Sequence, residues 1–292
     1  MAALRALAAR LGADRLQIQG PGGNVSLKDG ATLRVKASGT RMAEALERDV
    51  FAVLPLDAAR DGRAAPAEGG LRPSIEAALH GRIPHRVVLH THSVAALAHL
   101  IAPEGRAAAL DALRDLDAVL VPYATPGLPL AAAIEAAGAD APVHLLANHG
   151  LVVSGASVAE AGARLAEVER RLALPARLAA SAGRPPEGWV ARAPGLASPR
   201  ARAIAEAGAY WPDHAVFLGG GLGSDTEPAR LHPGGALLRT DAPRAAREML
   251  DCLEDVLLRL PEGWRPEPLP EAEVALLGNW EAEAHRRAME RL

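Results

Sequence analysis

The sequence predicts an αβα sandwich with a largely antiparallel central sheet, followed by a smaller C-terminal α/β extension. Short apolar runs typical of strands alternate with helical segments, and hairpin turns or short connections join them. A Pro/Gly-rich stretch over 182–198 separates the two parts and is interpreted as a linker. We therefore divide the chain into a first domain over 1–181, this linker, and an extension of unassigned role over 199–292.

The elements follow from the position of apolar runs and turn residues. In the first part, strands are predicted over 22–27, 33–35, 51–54, 86–89, 118–122 and 143–147. Helices are predicted over 3–11, 42–47, 94–102, 130–137 and 158–173, and another starts at Pro73 and Ser74. In the extension we expect a helix over 199–207, strands over 215–218 and 236–238, and two terminal helices.

Composition excludes several classes of protein. A chain of 292 residues can bury a large core, and a net charge of -3 gives no electrostatic reason to expect nucleic acid as a partner. The single cysteine, Cys252, excludes an internal disulfide framework, and no apolar run has the length of a membrane span. We therefore expect a cytoplasmic enzyme without a membrane partner.

Three histidines have the spacing of a metal site. His90 and His92 follow the buried strand that ends at Leu89, and their spacing of two places both imidazoles on one face. His149 follows the second apolar segment, 143–147. Three neutral nitrogen ligands without a fourth protein ligand are typical of a catalytic zinc site, which keeps a position open for water or substrate. Taken alone, His90 and His92 are equally consistent with two polar residues on a half-exposed strand.

Five motifs occur in a recognisable order. They are Gly22-Gly23-Asn24-Val25-Ser26, Lys36-Ala37-Ser38-Gly39-Thr40, Pro73-Ser74-Ile75-Glu76, His90-Thr91-His92-Ser93 and Asn148-His149-Gly150-Leu151. Over roughly the first two-thirds of the chain, this order resembles the class II aldolase/adducin family, and in particular its zinc-dependent sugar-phosphate aldolases of the fuculose/rhamnulose-phosphate type. The resemblance implies the sandwich fold and a homotetramer with active sites at or near subunit boundaries.

The resemblance also implies a reaction. A zinc or other divalent ion on His90, His92 and His149 would chelate a ketose, as its 1-phosphate, and stabilise an enediolate while a carbon–carbon bond breaks or forms. Glu76 is the carboxylate that the family places beside the metal as proton shuttle. Its position at a helix start favours the ionised form, although a first-turn acid can also simply complement the helix dipole.

The implied phosphate site is less complete. Its donors would be Gly23, Asn24, Ser38, Gly39 and Ser74. Lys28 and Lys36 are the two lysines among 32 basic residues, and both lie near this loop in the sequence. At least one of them is considered as a ligand of the substrate anion; the alternative is that the two fall close together by chance. Ile75 stands where family aldolases often have a second serine, which removes one phosphate donor.

Three functions remain open from the sequence. The favoured one is an aldolase; a 4-epimerase, dehydratase or decarboxylase of the same family is the second, and a non-catalytic adducin-like scaffold is the third. Epimerase-like members carry aspartate where this chain has Glu76, and intact ligands argue against a scaffold. The segment 106–113 lacks the tyrosine that protonates the aldehyde in the fuculose type, so we consider Tyr210 and His214 of a neighbouring chain as donors, although a cap or core role is favoured for both.

Overall fold

A seven-stranded sheet forms the centre of the first part of the chain. The computed structural model describes residues 1–63, 70–178 and 185–289. Within them the strands are β1 (Asn24–Asp29), β2 (Thr32–Lys36), β3 (Phe51–Pro55), β4 (Val87–Thr91), β5 (Ala118–Val121), β6 (Val143–Leu146) and β7 (Gly150–Gly155). Their order is β3-β2-β1-β4-β7-β6-β5, and every neighbouring pair is antiparallel except β5 with β6. The predicted sandwich with a largely antiparallel sheet is confirmed.

Helices cover both faces of this sheet. They are α1 (Ala2–Ala13), α2 (Leu56–Arg60), α3 (Ala77–Arg82), α4 (Val94–Leu100), α5 (Pro103–Ala112), α6 (Leu128–Gly138) and α7 (Val158–Arg171). One face packs against α1, α4, α5 and α7, and the other against α2, α3 and α6. In β4, Val87 and Leu89 point to the face that α1, α4, α5 and α7 cover, and Val88 points to the opposite face. Alternation then directs His90 to the side of α3.

The extension has its own small sheet. Its strands are β8 (Trp189–Arg192), β9 (Ala229–His232) and β10 (Gly235–Arg239), paired antiparallel in the order β8-β10-β9. Its helices are α8 (Pro199–Ala207), α9 (Pro212–Leu218), α10 (Arg244–Arg259), α11 (Glu271–Asn279) and α12 (Glu281–Met289). None of the helices within the described ranges combines the length and apolar character needed to cross a bilayer.

Helix α4 joins the two parts of the chain. Its Ala96 and Leu100 pack into the core beneath the main sheet. On the opposite face, its Leu97 packs into the core of the extension together with Trp211 and with Ile101, the residue that follows the helix. Because α4 begins two residues after His92, the packing of the extension fixes the segment that carries this histidine.

The structure differs from several sequence-based expectations. The helix expected to start at Pro73 and Ser74 begins at Ala77, and the helix expected over 42–47 is a 3₁₀ turn over Met42–Glu44. The segment 215–218, predicted as a strand, lies in α9, which begins with proline at its first position and Asp213 in its first turn. A short run that is apolar all round does not distinguish a buried helix from a buried strand. Part of the predicted linker is ordered, since β8 and a 3₁₀ turn over 194–197 pack on the extension's sheet and helices. The boundary at 181 and linker residues 182–184 lie outside the described residues, and the two predicted terminal helices are three.

Leu97→Ala tests the coupling through α4. Leu97 is fully buried, and its truncation leaves a cavity between α4 and the extension. We expect a loss of about 2–5 kcal/mol in the free energy of unfolding, measured by urea denaturation. Leu46, which is 66% exposed, provides the control Leu46→Ala. If both substitutions lowered the free energy of unfolding equally, the packing of Leu97 between α4 and the extension would be contradicted.

Candidate metal centre

The sheet brings the three predicted histidines together. His90 lies in β4, His92 follows that strand, and His149 lies in the tight turn between β6 and β7. Because β4 and β7 are antiparallel neighbours with Thr91 opposite Leu151, the turn lies beside His92. One ring nitrogen of each histidine lies within 4.8 Å of the others, and all three side chains are buried. The three histidines therefore form one cluster, because β4 carries His90 and leads into His92, and the turn before β7 carries His149.

The turn that carries His149 is fixed by its preceding residue. Asn148 has a φ of 51°, in the left-handed region that asparagine tolerates better than most residues. Its side-chain amide donates to the carbonyls of Tyr210 and Glu267, at 2.9 and 2.8 Å. Arg106 donates to its Oδ1 at 2.6 Å. The extension thus holds the backbone that positions His149.

The protonation pattern of His90 and His92 fits a bound cation. Nδ1 of His90 lies 3.0 Å from the carbonyl oxygen of Leu151, so it donates to that oxygen. Nδ1 of His92 lies 3.1 Å from Oδ2 of Asp213, which favours its proton there. In the neutral rings both Nε2 lone pairs then face each other across 3.2 Å, an arrangement that repels unless a cation lies near both. Burial lowers the pKa of His90 to about 3, which favours the neutral form that a metal ligand needs.

Glu76 completes the cluster. It immediately precedes α3, and Asn24 Nδ2 donates to its Oε2 at 2.7 Å. Its Oε1 lies 3.2 Å from Nε2 of His149, and its Oε2 lies 3.6 Å from Nε2 of His90. Burial alone would raise the pKa of the Glu76 carboxyl, but the neighbouring His90 and His149 outweigh burial and hold that pKa well below its usual range. The ionised carboxylate suits a proton acceptor or a further metal ligand.

The cluster borders a small cavity of about 30 Å³. The predicted site residues that line it are Gly23, Asn24, Lys36, Ser38, Gly39, Ser74, Glu76, His92 and His149. This volume accommodates about two water molecules and no sugar phosphate. A larger cleft of about 890 Å³ adjoins it through Ser74, Ile75 and Pro126.

The two lysines differ in position. Nζ of Lys36 donates to the carbonyl of Pro21, and its side chain borders the cavity. Lys28 lies at the other end of β1, four residues and about 13 Å from Asn24. There its Nζ donates to the carbonyl of His85 at 2.8 Å, so the structure does not bring Lys28 to the cavity.

The extension adds residues that sequence reasoning did not identify. Asp213, Glu283 and Arg286 line the cavity, and Arg286 bonds both carboxylates. Burial opposes ionisation of Asp213, yet the Arg286 guanidinium and His92 hold the pKa of this carboxyl well below its usual range. No spacing rule links these residues to the histidine motifs, because a long stretch of sequence separates them.

Tyr210 and His214, the two residues considered as proton donors, lie close to Asp213 in the chain but do not line the cavity. The hydroxyl of Tyr210 donates to the carbonyl of Ile204 at 2.9 Å. Nδ1 of His214 lies 3.3 Å from the backbone nitrogen of Tyr210, which donates to it. Within one chain, both side chains are therefore engaged in the core of the extension.

Helix α12 covers the predicted phosphate loop. Gly39 has a φ of +73°, and a Cβ built there would lie 2.8 Å from Cγ of Met289. The side chain of Met289 therefore rests against the backbone that carries Ser38 and Gly39. In this arrangement α12 covers the backbone at Gly39.

The family is identified by comparison with known proteins. The family described as Class II Aldolase and Adducin N-terminal domain matches residues 3–174. The chain belongs to this family, which confirms the resemblance found in the sequence. No curated protein matches the chain.

Solved structures resemble part of this chain. The N-terminal class II aldolase domain of a conserved protein from Thermoplasma acidophilum is 24% identical, with a TM-score of 0.50, over 57% of this chain and 89% of that one. YgbL of Klebsiella pneumoniae, a candidate aldolase, epimerase or decarboxylase, is 26% identical over 58% and 86%, with a TM-score of 0.43. L-fuculose-1-phosphate aldolase of Thermus thermophilus is 20% identical over 59% and 89%, also with a TM-score of 0.43.

His92→Ala tests the metal centre. Removing one of three ligands leaves two imidazoles, so we expect the purified variant to lose its stoichiometric divalent metal. Metal content is measured by mass spectrometry of the elements after dialysis. His232→Ala, in β9 of the extension, is the matched histidine control and should retain the metal. Stoichiometric metal in the His92 variant would place this residue outside the site.

Proposed function

We propose that the protein is a metal-dependent aldolase that cleaves or forms a carbon–carbon bond in a ketose, taken as its 1-phosphate, with zinc as the ion. The observation that carries this proposal is the convergence of three buried imidazoles on the carboxylate of Glu76 in a chain of the class II aldolase family. An adducin-like scaffold has no need for such a cluster, because burying it without a ligand is costly.

The chain's own residues would divide the work as follows. A divalent ion on His90, His92 and His149 would supply Lewis acidity toward the substrate's oxygens. One nitrogen of each ring lies within 4.8 Å of the others, and Leu151 fixes the tautomer of His90. Glu76 lies close to these nitrogens as an ionised carboxylate, and Asn24 aims it by donating to Oε2. Glu76 would therefore accept and return the proton on the substrate.

The substrate anion would be held by the loop that carries Ser38 and Gly39. This loop shares the cavity with Glu76 and His149, and Lys36 borders it with a cationic side chain. Asn24 and Ser74 are committed to Glu76, since Asn24 donates to its carboxylate and Ser74 Oγ accepts from its backbone nitrogen at 3.2 Å. The anion site proposed here is therefore smaller than the one implied by the sequence, and it becomes accessible when α12 moves.

The proposal is tested by retro-aldol assays on a panel of ketose 1-phosphates with the metal-loaded protein. We expect at least one member to yield dihydroxyacetone phosphate and an aldehyde. The same reactions are analysed for an epimerised, dehydrated or decarboxylated product. If one of those products forms without cleavage, the protein has another activity of the family and is not an aldolase. If no substrate of the panel is converted, the result counts against the proposal.

Glu76→Gln should lower turnover in that assay by about a hundredfold or more while the metal stays bound, because a neutral amide cannot carry the proton. The substitution preserves size and leaves the histidines in place. Glu135→Gln, which alters an exposed carboxylate paired with Arg82, is the matched control and should retain full turnover. Near-normal turnover of the Glu76 variant would reduce this residue to a helix-start acid.

We further propose a homotetramer with active sites at or near subunit boundaries. Within one chain, the hydroxyl of Tyr123 bonds Glu273 and that of Tyr210 bonds Ile204, so neither lies free to protonate the aldehyde. A side chain of a neighbouring chain other than these two tyrosines would supply this step. Light scattering of the active protein should give four times the chain mass, and an active monomer across the working concentrations would exclude the assembly.

A further inference from the structure

We infer that Asp213, in the extension, is a positioning residue for the metal centre, which it serves by holding the His92 imidazole through Nδ1. This inference rests on the proposed metal-binding function and extends it beyond the matched family region, which ends at residue 174. It assigns the extension a role within its own chain, in addition to the proton donors considered for a neighbouring chain.

The contact is short and enclosed. Oδ2 of Asp213 lies 3.1 Å from Nδ1 of His92, and both side chains are almost fully buried. The opposite nitrogen, Nε2, faces His90. A carboxylate on one nitrogen fixes both the tautomer and the rotation of the ring, so that the other nitrogen presents its lone pair to the ion.

The glycine-rich motif leaves room for this contact. A Cβ at Gly22 would lie 2.5 Å from Oδ2 of Asp213 and 2.9 Å from Nδ1 of His92. Any larger residue would therefore separate the carboxylate from the imidazole. Because Gly22 has no side chain, Asp213 of the extension can lie next to His92.

Asp213 is itself held in place. Arg286 of α12 donates to Oδ1 at 2.8 Å and to Oδ2 at 3.1 Å, and it also bonds Glu283 at 2.8 Å. The bidentate geometry fixes the plane of the carboxylate. Because Asp213 lies in the first turn of α9, whose following residues fill the core of the extension, its backbone is fixed as well.

The test measures the affinity for Zn²⁺ and the spectrum of the Co²⁺-substituted protein. Asp213→Asn keeps the size of the side chain but removes its charge, and we expect affinity to fall about 10–100-fold in competition with a chelating indicator. The visible Co²⁺ bands, which report ligand geometry, should shift. Gly22→Ala leaves Asp213 in the chain and should produce the same two changes by separating the pair.

Asp251→Asn is the matched control. Asp251 forms a similar bidentate pair with Arg192 in the extension, outside the cavity, so its loss should change neither affinity nor spectrum. Parent affinity and an unchanged Co²⁺ spectrum in both the Asp213 and Gly22 variants would overturn the inference. A parent protein that binds no Zn²⁺ would instead overturn the metal centre itself, which distinguishes the two failures.

Discussion

Burial of three imidazoles and a carboxylate at the end of β4 is the constraint on which the rest of the site depends. Polar groups removed from water need partners, and a missing partner costs roughly 1–3 kcal/mol. Leu151 supplies a carbonyl to His90, Asp213 a carboxylate to His92, and Asn24 an amide to Glu76. His80, on α3, in turn contacts both Asn24 and Ser26, which holds in place the residue that donates to Glu76. The partners come from strands on either side of β4 and from a helix far along the chain, so the site can form only when the whole fold is assembled.

Sequence reasoning reached the part of this arrangement that is encoded locally. The spacing of two in His90 and His92, and the strand that precedes them, place two rings on one face, and β4 and β7 then bring His149 alongside. Asp213 was beyond such reasoning because nothing near it in the chain marks it as a partner of His92. Its helix, α9, was also predicted as a strand, since Val216 and its apolar neighbours are buried on all sides and show no helical period. Patterns of a few residues specify elements, whereas contacts between distant elements depend on tertiary packing.

The extension contributes to the metal centre through three separate contacts. Its core includes one face of α4, its Tyr210 and Glu267 carbonyls hold Asn148, and its Asp213 holds His92. Helix α4 is therefore packed on two sides, against the main sheet and against the extension, whereas an outer helix normally faces solvent on one side. A chain that lost the extension would expose Leu97 and Ile101 and would release the supports of two ligands together.

If the loop at Ser38 and Gly39 holds the substrate anion, as proposed, the position of α12 over Gly39 makes this helix an intramolecular competitor of the substrate. The anion would then bind only in molecules whose helix has moved aside, so the apparent dissociation constant would equal the intrinsic one divided by the open fraction. If about one molecule in a hundred is open, binding is weakened about a hundredfold, or roughly 2.7 kcal/mol. Side chains such as Met289, which contact neither the metal cluster nor the proton-transfer group, thereby gain control over the working concentration range of the protein.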